Sequence, residues 1–563
     1  MADYKERYQQ WLTSDAIDEA TKEELRSIKD DDKEIQERFY KDLEFGTGGL
    51  RGVIAAGTNR MNVYTVRRAT QGLVNYLIKK DPKAKEKGIA VAYDSRHMSD
   101  VFARETAAVA NASGMKAYVF ESLRPTPELS FAIRTLGCKG GVVITASHNP
   151  SKYNGYKAYW EDGCQVPPPM DEEIIDEVEK VDLFDGVRAM PRSEAEAKGL
   201  YIEIGEDIDK KFIDTASDMI IDKEAVKKYA KDLKIVYTPL HGTGRMPVMR
   251  ALKQAGFEPV IVPSQEMPDG DFPTCPYPNP EVLSVFEPAQ KLADQIGADI
   301  CIATDPDADR MGILVRTKDG VFHQFTGNMT GTLLLSYILE ARKKTDTLPK
   351  DGFIVKTIVS TEMARAIAES YGVEVRDVLT GFKFIGQQIT NSVNTGIGHY
   401  LFGFEESYGY LCGTYARDKD SVSAVLMISE MAAIYKAKGM TLVDALEALY
   451  KKYGYYKEET ISLTFEGLEG ADKIRDLMDS LRNNHKDSYG GLKVQVLKDY
   501  SKGIDGLPKS NVLRFTLEDN CWFCVRPSGT EPKIKFYFGV KGKDEKEAET
   551  MIETLKKDVL PNA

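Results

Sequence analysis

Short apolar runs, each followed by a stretch with helical spacing, recur along most of the chain, and one arrangement of them occurs three times. In the first copy, Gly88-Ile-Ala-Val-Ala-Tyr93, Lys116-Ala-Tyr-Val-Phe120 and Gly141-Val-Val-Ile144 predict strands. A helix capped by Ser99 and running to about Gly114 separates the first two, and the third strand leads into Thr145-Ala-Ser-His-Asn-Pro150. The second copy places strands at Leu233-Lys-Ile-Val-Tyr237 and Pro259-Val-Ile-Val262 around a helix, then runs from Asp299-Ile-Cys-Ile-Ala303 into Thr304-Asp-Pro-Asp-Ala-Asp-Arg310. In the third, Gly352-Phe-Ile-Val-Lys356 and Val373-Glu-Val-Arg-Asp-Val378 flank a helix, and His399-Tyr-Leu-Phe402 precedes Gly403-Phe-Glu-Glu-Ser-Tyr-Gly409. Strands alternating with helices predict α/β units with largely parallel sheets, whose sites lie on loops beyond the carboxyl ends of strands. All three polar loops hold that position.

The last hundred residues have another rhythm. Strands at Glu459–Phe465, Leu492–Leu497, Asn511–Phe515 and Ile534–Tyr537, with a closing helix near 544–559, predict an α+β domain. The fold class expected is therefore α/β: three similar α/β domains with mixed, largely parallel sheets and a C-terminal α+β domain. At 563 residues the chain is long enough for several domains, with borders expected near 205, 318 and 455.

Composition narrows the class. The chain is 42% hydrophobic and 29% charged and has no apolar run long enough to span a bilayer. Its charged start lacks the pattern of a signal peptide, so the cytoplasm is the expected location. A net charge of −12 disfavours nucleic acid and anionic membranes as partners, so any anionic substrate must meet locally concentrated cations. The seven scattered cysteines argue against a disulfide framework. Cys521-Trp-Phe-Cys524 alone has metal or redox spacing; lacking a second pair and lying in an apolar strand, it is expected to be a buried structural pair.

Asp305, Asp307 and Asp309 place three carboxylates at alternate positions. Packed together they repel, and a hard cation with oxygen ligands, magnesium first, is the simple remedy. An EF-hand would need Gly near 310 and Glu near 316, but both positions are Arg. A haloacid-dehalogenase nucleophile would want Thr or Val after its second Asp. Arg310 is suited to gripping a phosphate beside the metal. Ser147 and His148 are adjacent, which seldom permits nucleophile and base to pair, and no Gly-x-Ser-x-Gly elbow surrounds the serine, which argues against a serine hydrolase. Taken alone the loop reads as a capped turn. Arg526-Pro-Ser-Gly-Thr530 offers a guanidinium, two hydroxyls and backbone amides around a glycine, an inventory fit to wrap a phosphate. Phe45-Gly-Thr-Gly-Gly-Leu-Arg-Gly52 is Gly-rich and carries Arg51, but matches neither the Walker pattern nor the dinucleotide fingerprint.

Four of these loops, in the order Thr145–Pro150, Asp305–Arg310, Gly403–Ser407 and Arg526–Thr530, resemble the signatures of the α-D-phosphohexomutase superfamily and, within it, the phosphoglucomutase/phosphopentomutase branch. The resemblance covers nearly the whole chain. It implies four domains around a central cleft: 1–205 with a phosphoserine, 206–318 binding metal, 319–455 binding sugar and 456–563 binding phosphate. It implies that Ser147 carries the active phosphoryl group and that Asp305, Asp307 and Asp309 hold Mg2+ with a phosphoserine oxygen. Glu405 and Ser407 would grip sugar hydroxyls, and Arg526, Ser528, Gly529 and Thr530 the phosphate that is not reacting. Arg51 would lie by the phosphoserine and Arg310 beside the metal. His148 and Lys157 would manage protons, and Thr380, Gly381 and Lys383 would add contacts to substrate from the third unit.

The activity implied is interconversion of α-D-glucose 1-phosphate and glucose 6-phosphate through a phosphoserine enzyme, with glucose 1,6-bisphosphate as intermediate and activator. Small-molecule sugar phosphates are then the partners. A phosphopentomutase, a glucose-1,6-bisphosphate synthase and a non-catalytic sugar-phosphate sensor are the competing readings; the intact serine, aspartates and Arg310 oppose the sensor.

Overall fold

The computed structural model describes residues 3–46, 48–465, 470–528 and 533–560. The first sheet contains β1 (Gly49–Val53), β2 (Ile89–Tyr93), β3 (Ala117–Phe120), β4 (Gly140–Ile144), β5 (Tyr153–Trp160) and β6 (Tyr201–Ile204), in the order β1-β5-β4-β2-β3-β6. The second contains β7 (Ile235–Thr238), β8 (Val260–Ile261), β9 (Ile300–Thr304), β10 (Met311–Arg316) and β11 (Phe322–Phe325), in the order β11-β10-β9-β7-β8. The third contains β12 (Gly352–Thr357), β13 (Glu374–Val378), β14 (His399–Glu405) and β15 (Gly409–Leu411), in the order β13-β12-β14-β15.

The three share one topology. In each, two strands run parallel to a third, and that third strand turns back into an antiparallel neighbour: β4 into β5, β9 into β10 and β14 into β15. The three polar loops of the sequence are these turn-backs. The expected strands are present with ends shifted by up to five residues, and the sheets of the first three units are mixed as expected. The return strands β5 and β10 were not among the predicted strands. The β10–β11 hairpin runs across the border expected at 318, so the second sheet continues to Phe325.

The fourth sheet is antiparallel throughout, β16-β21-β20-β19-β18-β17, from β16 (Tyr455–Thr464), β17 (Ser488–Tyr489), β18 (Leu492–Asp499), β19 (Leu513–Leu517), β20 (Trp522–Pro527) and β21 (Lys533–Gly542). Helices Gly470–Asn483 and Glu545–Val559 pack beside it. Cys521 and Cys524 are buried free thiols in and beside β20, as are the other five cysteines in their own units.

Three helices precede β1, Tyr4–Thr13, Glu19–Ser27 and Asp32–Phe39, each opened by an aspartate whose carboxylate accepts from the first turn. Trp11 and Tyr8 meet Phe39 edge to face and give them a small core of their own.

The helix Ser421–Ala437 organises the middle of the molecule. It is buried continuously from Ser421 to Ala433, as its all-round apolar composition requires. One core runs from the first unit through the second and third, taking in Phe131, Phe212, Ile302, Leu335 and Val425. A separate cluster, with Phe353, Tyr500, Trp522 and Tyr537, joins the third unit to the fourth. Among the described residues, no helix is long and apolar enough to cross a membrane.

Glu430 ties this helix to its surroundings. Its buried carboxylate accepts from the backbone of Ile221 and Asp222 and from the hydroxyl of Tyr337 at 2.7 Å. Glu430→Ala leaves those donors unpaired and is expected to destabilise the second and third units by roughly 2–4 kcal/mol. Calorimetry should show that transition several degrees lower, with the fourth unit unmoved.

Candidate active site

The turn from β4 to β5 presents Ser147 at a positive φ of 53°, a conformation that costs an L-residue energy and has to be held by its surroundings. Two hydrogen bonds begin that hold: Ser147 N donates to Thr145 Oγ1 at 2.8 Å, and the buried guanidinium of Arg96 donates to Ser147 O at 2.6 Å. Ser147 Oγ donates to Asp305 Oδ2 at 2.9 Å and accepts from Arg310 Nη1 at 2.7 Å. His148 Nδ1 lies 3.4 Å from the same oxygen and accepts from Arg310 Nη1 at 2.7 Å, so the ring carries its proton on Nε2. Burial, followed by Arg310 and Arg51, holds the His148 pKa well below the usual range, and the ring is neutral.

The turn from β9 to β10 carries the aspartates, all within 1% of complete burial. One oxygen from each of Asp305, Asp307 and Asp309 lies within 4.8 Å of the others. Asp305 Oδ1 accepts from the backbone of Asp309 and Arg310, both at 3.0 Å. Asp307 Oδ2 accepts from Thr126 Oγ1 at 2.9 Å and Lys157 Nζ at 2.8 Å. Asp309 Oδ2 stands 3.0 Å from Lys419 Nζ. Asp307 Oδ1 and Asp309 Oδ1 are buried with no hydrogen-bond partner. Two orphaned carboxylate oxygens within an all-oxygen cluster fit a hard divalent cation, since a buried acceptor left alone is costly.

Charge sets these groups apart. Burial raises Asp305 well above the carboxylate range, and Asp307 and Asp309 add to it. For Asp307 burial acts in the same sense, but Lys157 overrides it and holds the group low. Lys157 and Lys419 are kept as ammonium ions: burial opposes their charge, and the neighbouring aspartates outweigh it. Lys419 sits between Asp309 and Asp418, and Tyr159 fixes Asp418 through a 2.6 Å hydrogen bond.

The turn from β14 to β15 brings Glu405 and Ser407. Glu405 Oε1 accepts from Gly381 N at 2.8 Å, and burial pushes its pKa up to about 6 against the pull of Lys419. Ser407 O accepts from Arg310 Nε at 3.1 Å, which ties the third loop to the second. Beside Ser147 a cleft of about 1030 Å3 opens, lined by Arg51, His148 and Asn149 of the first unit, Tyr277 of the second and Arg526, Ser528, Lys533 and Lys535 of the fourth. Arg51 reaches solvent there, and among the described residues its guanidinium makes no hydrogen bond or ion pair. Enclosure by the cleft walls and the nearby Arg310 lower its pKa.

Ser147, His148, Lys157, Arg51, the three aspartates and Arg310 therefore come together, Glu405 and Ser407 adjoin them, and Arg526 and Ser528 face them across the cleft. Gly381 adjoins Glu405. Lys383 does not line the cleft: its ammonium pairs with Asp171 at 3.1 Å, both side chains buried at the contact between the first and third units. Gly529 and Thr530 lie outside the described residues. Lys419, Arg96, Tyr277 and Lys535 escape the motif reading. For Lys419 a signal was present, the run Arg417-Asp-Lys-Asp420 just ahead of an apolar helix.

Comparison with known proteins gives a consistent result. Family models described as phosphoglucomutase/phosphomannomutase alpha/beta/alpha domains I, II and III match residues 42–184, 210–320 and 326–453, and the C-terminal domain model of the same family matches 466–556. A phosphoglucomutase of Staphylococcus haemolyticus is 36% identical over 90% of this chain and 91% of its own. One of Staphylococcus aureus is 37% identical over 91% of this chain and 92% of its own. In three dimensions the chain is similar to the open form of pp63/parafusin, a phosphoglucomutase from Paramecium, with TM-score 0.69 and 19% identity over 92% of this chain and 95% of that one.

Two measurements check this geometry. A divalent cation should raise the melting temperature in a concentration-dependent way, and Asp309→Ala should abolish the rise, because only the folded cluster binds it. Glu405→Gln should gain stability relative to the parent protein as pH rises. The raised pKa means that the folded parent loses stability between the ordinary value near 4.5 and the folded value of about 6, a loss the amide escapes. The difference in melting temperature between the two should widen over that interval and then level off.

Proposed function

The chain belongs to the phosphoglucomutase/phosphomannomutase family, and from that premise we propose that it is a phosphoglucomutase, interconverting α-D-glucose 1-phosphate and glucose 6-phosphate through phosphorylated Ser147. The observation that carries this reading is the setting of Ser147 Oγ, 2.9 Å from Asp305 and 2.7 Å from Arg310, next to a cleft lined by Arg51, Arg526, Lys533 and Lys535. The relatives that share 36% and 37% of its residues are named for the glucose reaction, which favours a hexose over a pentose.

Phosphoryl transfer asks little covalent chemistry of a protein; it needs the reacting oxygens in line and the charge on the equatorial oxygens neutralised. Arg310, already on Ser147 Oγ, and the unpaired Arg51 supply that charge from two sides. Magnesium would be held by Asp305, Asp307 and Asp309, and would supply further neutralisation of the phosphoryl charge. Lys157 and Lys419 keep Asp307 and Asp309 ionised and oriented. The bond from phosphorus to Ser147 Oγ breaks as the free hydroxyl of the sugar monophosphate attacks, giving glucose 1,6-bisphosphate. In the return step Ser147 Oγ attacks the other phosphate; in each direction the proton of the attacking hydroxyl passes to the oxygen that leaves, while His148, neutral and accepting from Arg310, helps keep that guanidinium on Ser147 Oγ.

Glu405 and Ser407 grip sugar hydroxyls that occupy similar places in both poses. Arg526 and Ser528, with Gly529 and Thr530 of the same loop, hold the phosphate that is not reacting. Thr380 and Gly381 support the sugar side. Lys383 acts through its pairing with Asp171, which joins the third unit to the first. Glucose 1,6-bisphosphate serves as activator by restoring the phosphoserine. The reduced state of seven buried cysteines suits the cytoplasm.

A coupled assay with glucose 1-phosphate, Mg2+ and a trace of glucose 1,6-bisphosphate tests the reading, with ribose 1-phosphate as competitor. Ser147→Ala should lose at least about a thousandfold in kcat with little change in melting temperature, and Lys419→Met roughly a hundredfold. Preference for the pentose would move the assignment to a phosphopentomutase, and stoichiometric consumption of an external phosphoryl donor to a bisphosphate synthase.

A further inference from the structure

One buried cation outside the motif loops gathers the backbone around Ser147. Arg96, on the loop after β2, is 3% exposed, and its two terminal nitrogens donate to four carbonyl oxygens. Nη2 reaches Ser147 O at 2.6 Å and Asn149 O at 2.5 Å. Nη1 reaches Pro150 O at 2.9 Å and Tyr153 O at 3.1 Å. Nε stands 3.2 Å from Asp94 Oδ2, and Asp94 Oδ1 accepts from Arg96 N and Ser99 Oγ. A planar guanidinium is the one side chain with enough fixed donors for such an array.

The other face of Arg96 belongs to the second unit. Its guanidinium stacks on the ring of Phe272, 5.0 Å from the centroid. Gly270 of the same segment lies so close that a Cβ there would meet His97 N at 2.9 Å and Ser95 O at 3.0 Å. This segment is anchored to the aspartate loop. The His241 ring bridges Met267 O at 3.0 Å and Thr274 Oγ1 at 2.9 Å. Two residues on, Thr243 donates to Pro306 O through both N, at 2.8 Å, and Oγ1, at 2.9 Å.

We propose that Arg96 is a positioning residue for the transferring group: it clamps the carbonyls of the serine loop and, through Phe272 and the segment from His241 to Cys275, sets that loop against the aspartates. The assignment rests on Ser147 being the transferring residue. Its physical effect is twofold. The strained φ of Ser147 is held without help from substrate, so Oγ is already in place when sugar phosphate arrives. Four carbonyl dipoles are also tied to a cation, so their negative ends cannot swing toward a phosphoryl dianion.

The test uses the full chain carrying Arg96→Met, Arg96→Lys and Phe272→Leu. Two readouts are taken: kcat and KM for glucose 1-phosphate, and amide hydrogen exchange in peptides from 145–154 against those from β16–β21. Arg96→Met should lose about a hundredfold in kcat with KM within about threefold. Exchange in 145–154 should speed up at least about tenfold while the fourth sheet is unchanged. Arg96→Lys should recover part of both effects, and Phe272→Leu should show both in weaker form. Wild-type kcat in a folded Arg96→Met protein overturns the proposal. So does faster exchange spread evenly over all four sheets, or a change in one readout without the other. If Arg96→Met fails to fold, Phe272→Leu decides by the same criteria. If the wild-type protein does not isomerise glucose 1-phosphate, the proposed function falls and the exchange profile alone decides whether the clamp exists.

Discussion

Three carboxylates packed out of water are the demand that the rest of the site answers. Asp305, Asp307 and Asp309 are buried almost completely, and like charges at such range are tolerated only when matched. Arg310, Lys157 and Lys419 match them in number, each from a different element: the aspartate turn itself, the return strand β5 and the approach to the helix Ser421–Ala437. Asp307 Oδ1 and Asp309 Oδ1 are left buried without a hydrogen-bond partner.

The same demand explains why three units must come together. A parallel strand that turns back into an antiparallel neighbour puts a short loop at the carboxyl edge of the sheet, and this device occurs in each of the first three units. Each loop carries different side chains: a serine hydroxyl beside a histidine, a cluster of three aspartates, and a buried glutamate. Cross-links then fix them to one another. Ser147 Oγ donates to Asp305, Arg310 binds both Ser147 Oγ and Ser407 O, and Ser421 Oγ, at the start of the buried helix, donates to Ala308 O at 2.5 Å. The continuous core through these units makes the cross-links rigid. The fourth unit, with its own core and a separate seam to the third, brings Arg526, Ser528 and Lys535 to the far wall of the cleft.

Electrostatic roles within the site come from surroundings more than from residue type. Two lysines remain charged because aspartates face them, a histidine remains neutral because burial, with arginines beside it, disfavours its charge, and the Glu405 pKa is pushed up to about 6 because burial outweighs its one lysine. A protein can in this way hold acids, bases and fixed charges within one cleft at a single pH.

The linear pattern was enough for the α/β repeats, the α+β character of the last unit and the positions of the three turn-back loops, because each is a local feature: an apolar run makes a strand, and a motif of five or six residues turns as one piece. The return strand Tyr153–Trp160 was not legible, since its alternation of tyrosine, lysine and glycine takes meaning only from β1 and β4 on either side. The N-terminal helices were hidden by their mostly polar sequences. Lys419 and Arg96 escaped for a deeper reason. Lys419 meets Asp309 from 110 positions away, and Arg96 reaches Ser147 across 51 and Phe272 across 176; such pairings depend on how whole units pack, which no local pattern encodes. Lys383, by contrast, was legible as a charged residue in a conspicuous loop, and only the packing of the first unit against the third gave its charge to Asp171. Which residues can do chemistry is written along the chain; which of them share one volume, and in what state of charge, is decided when the cores close around them.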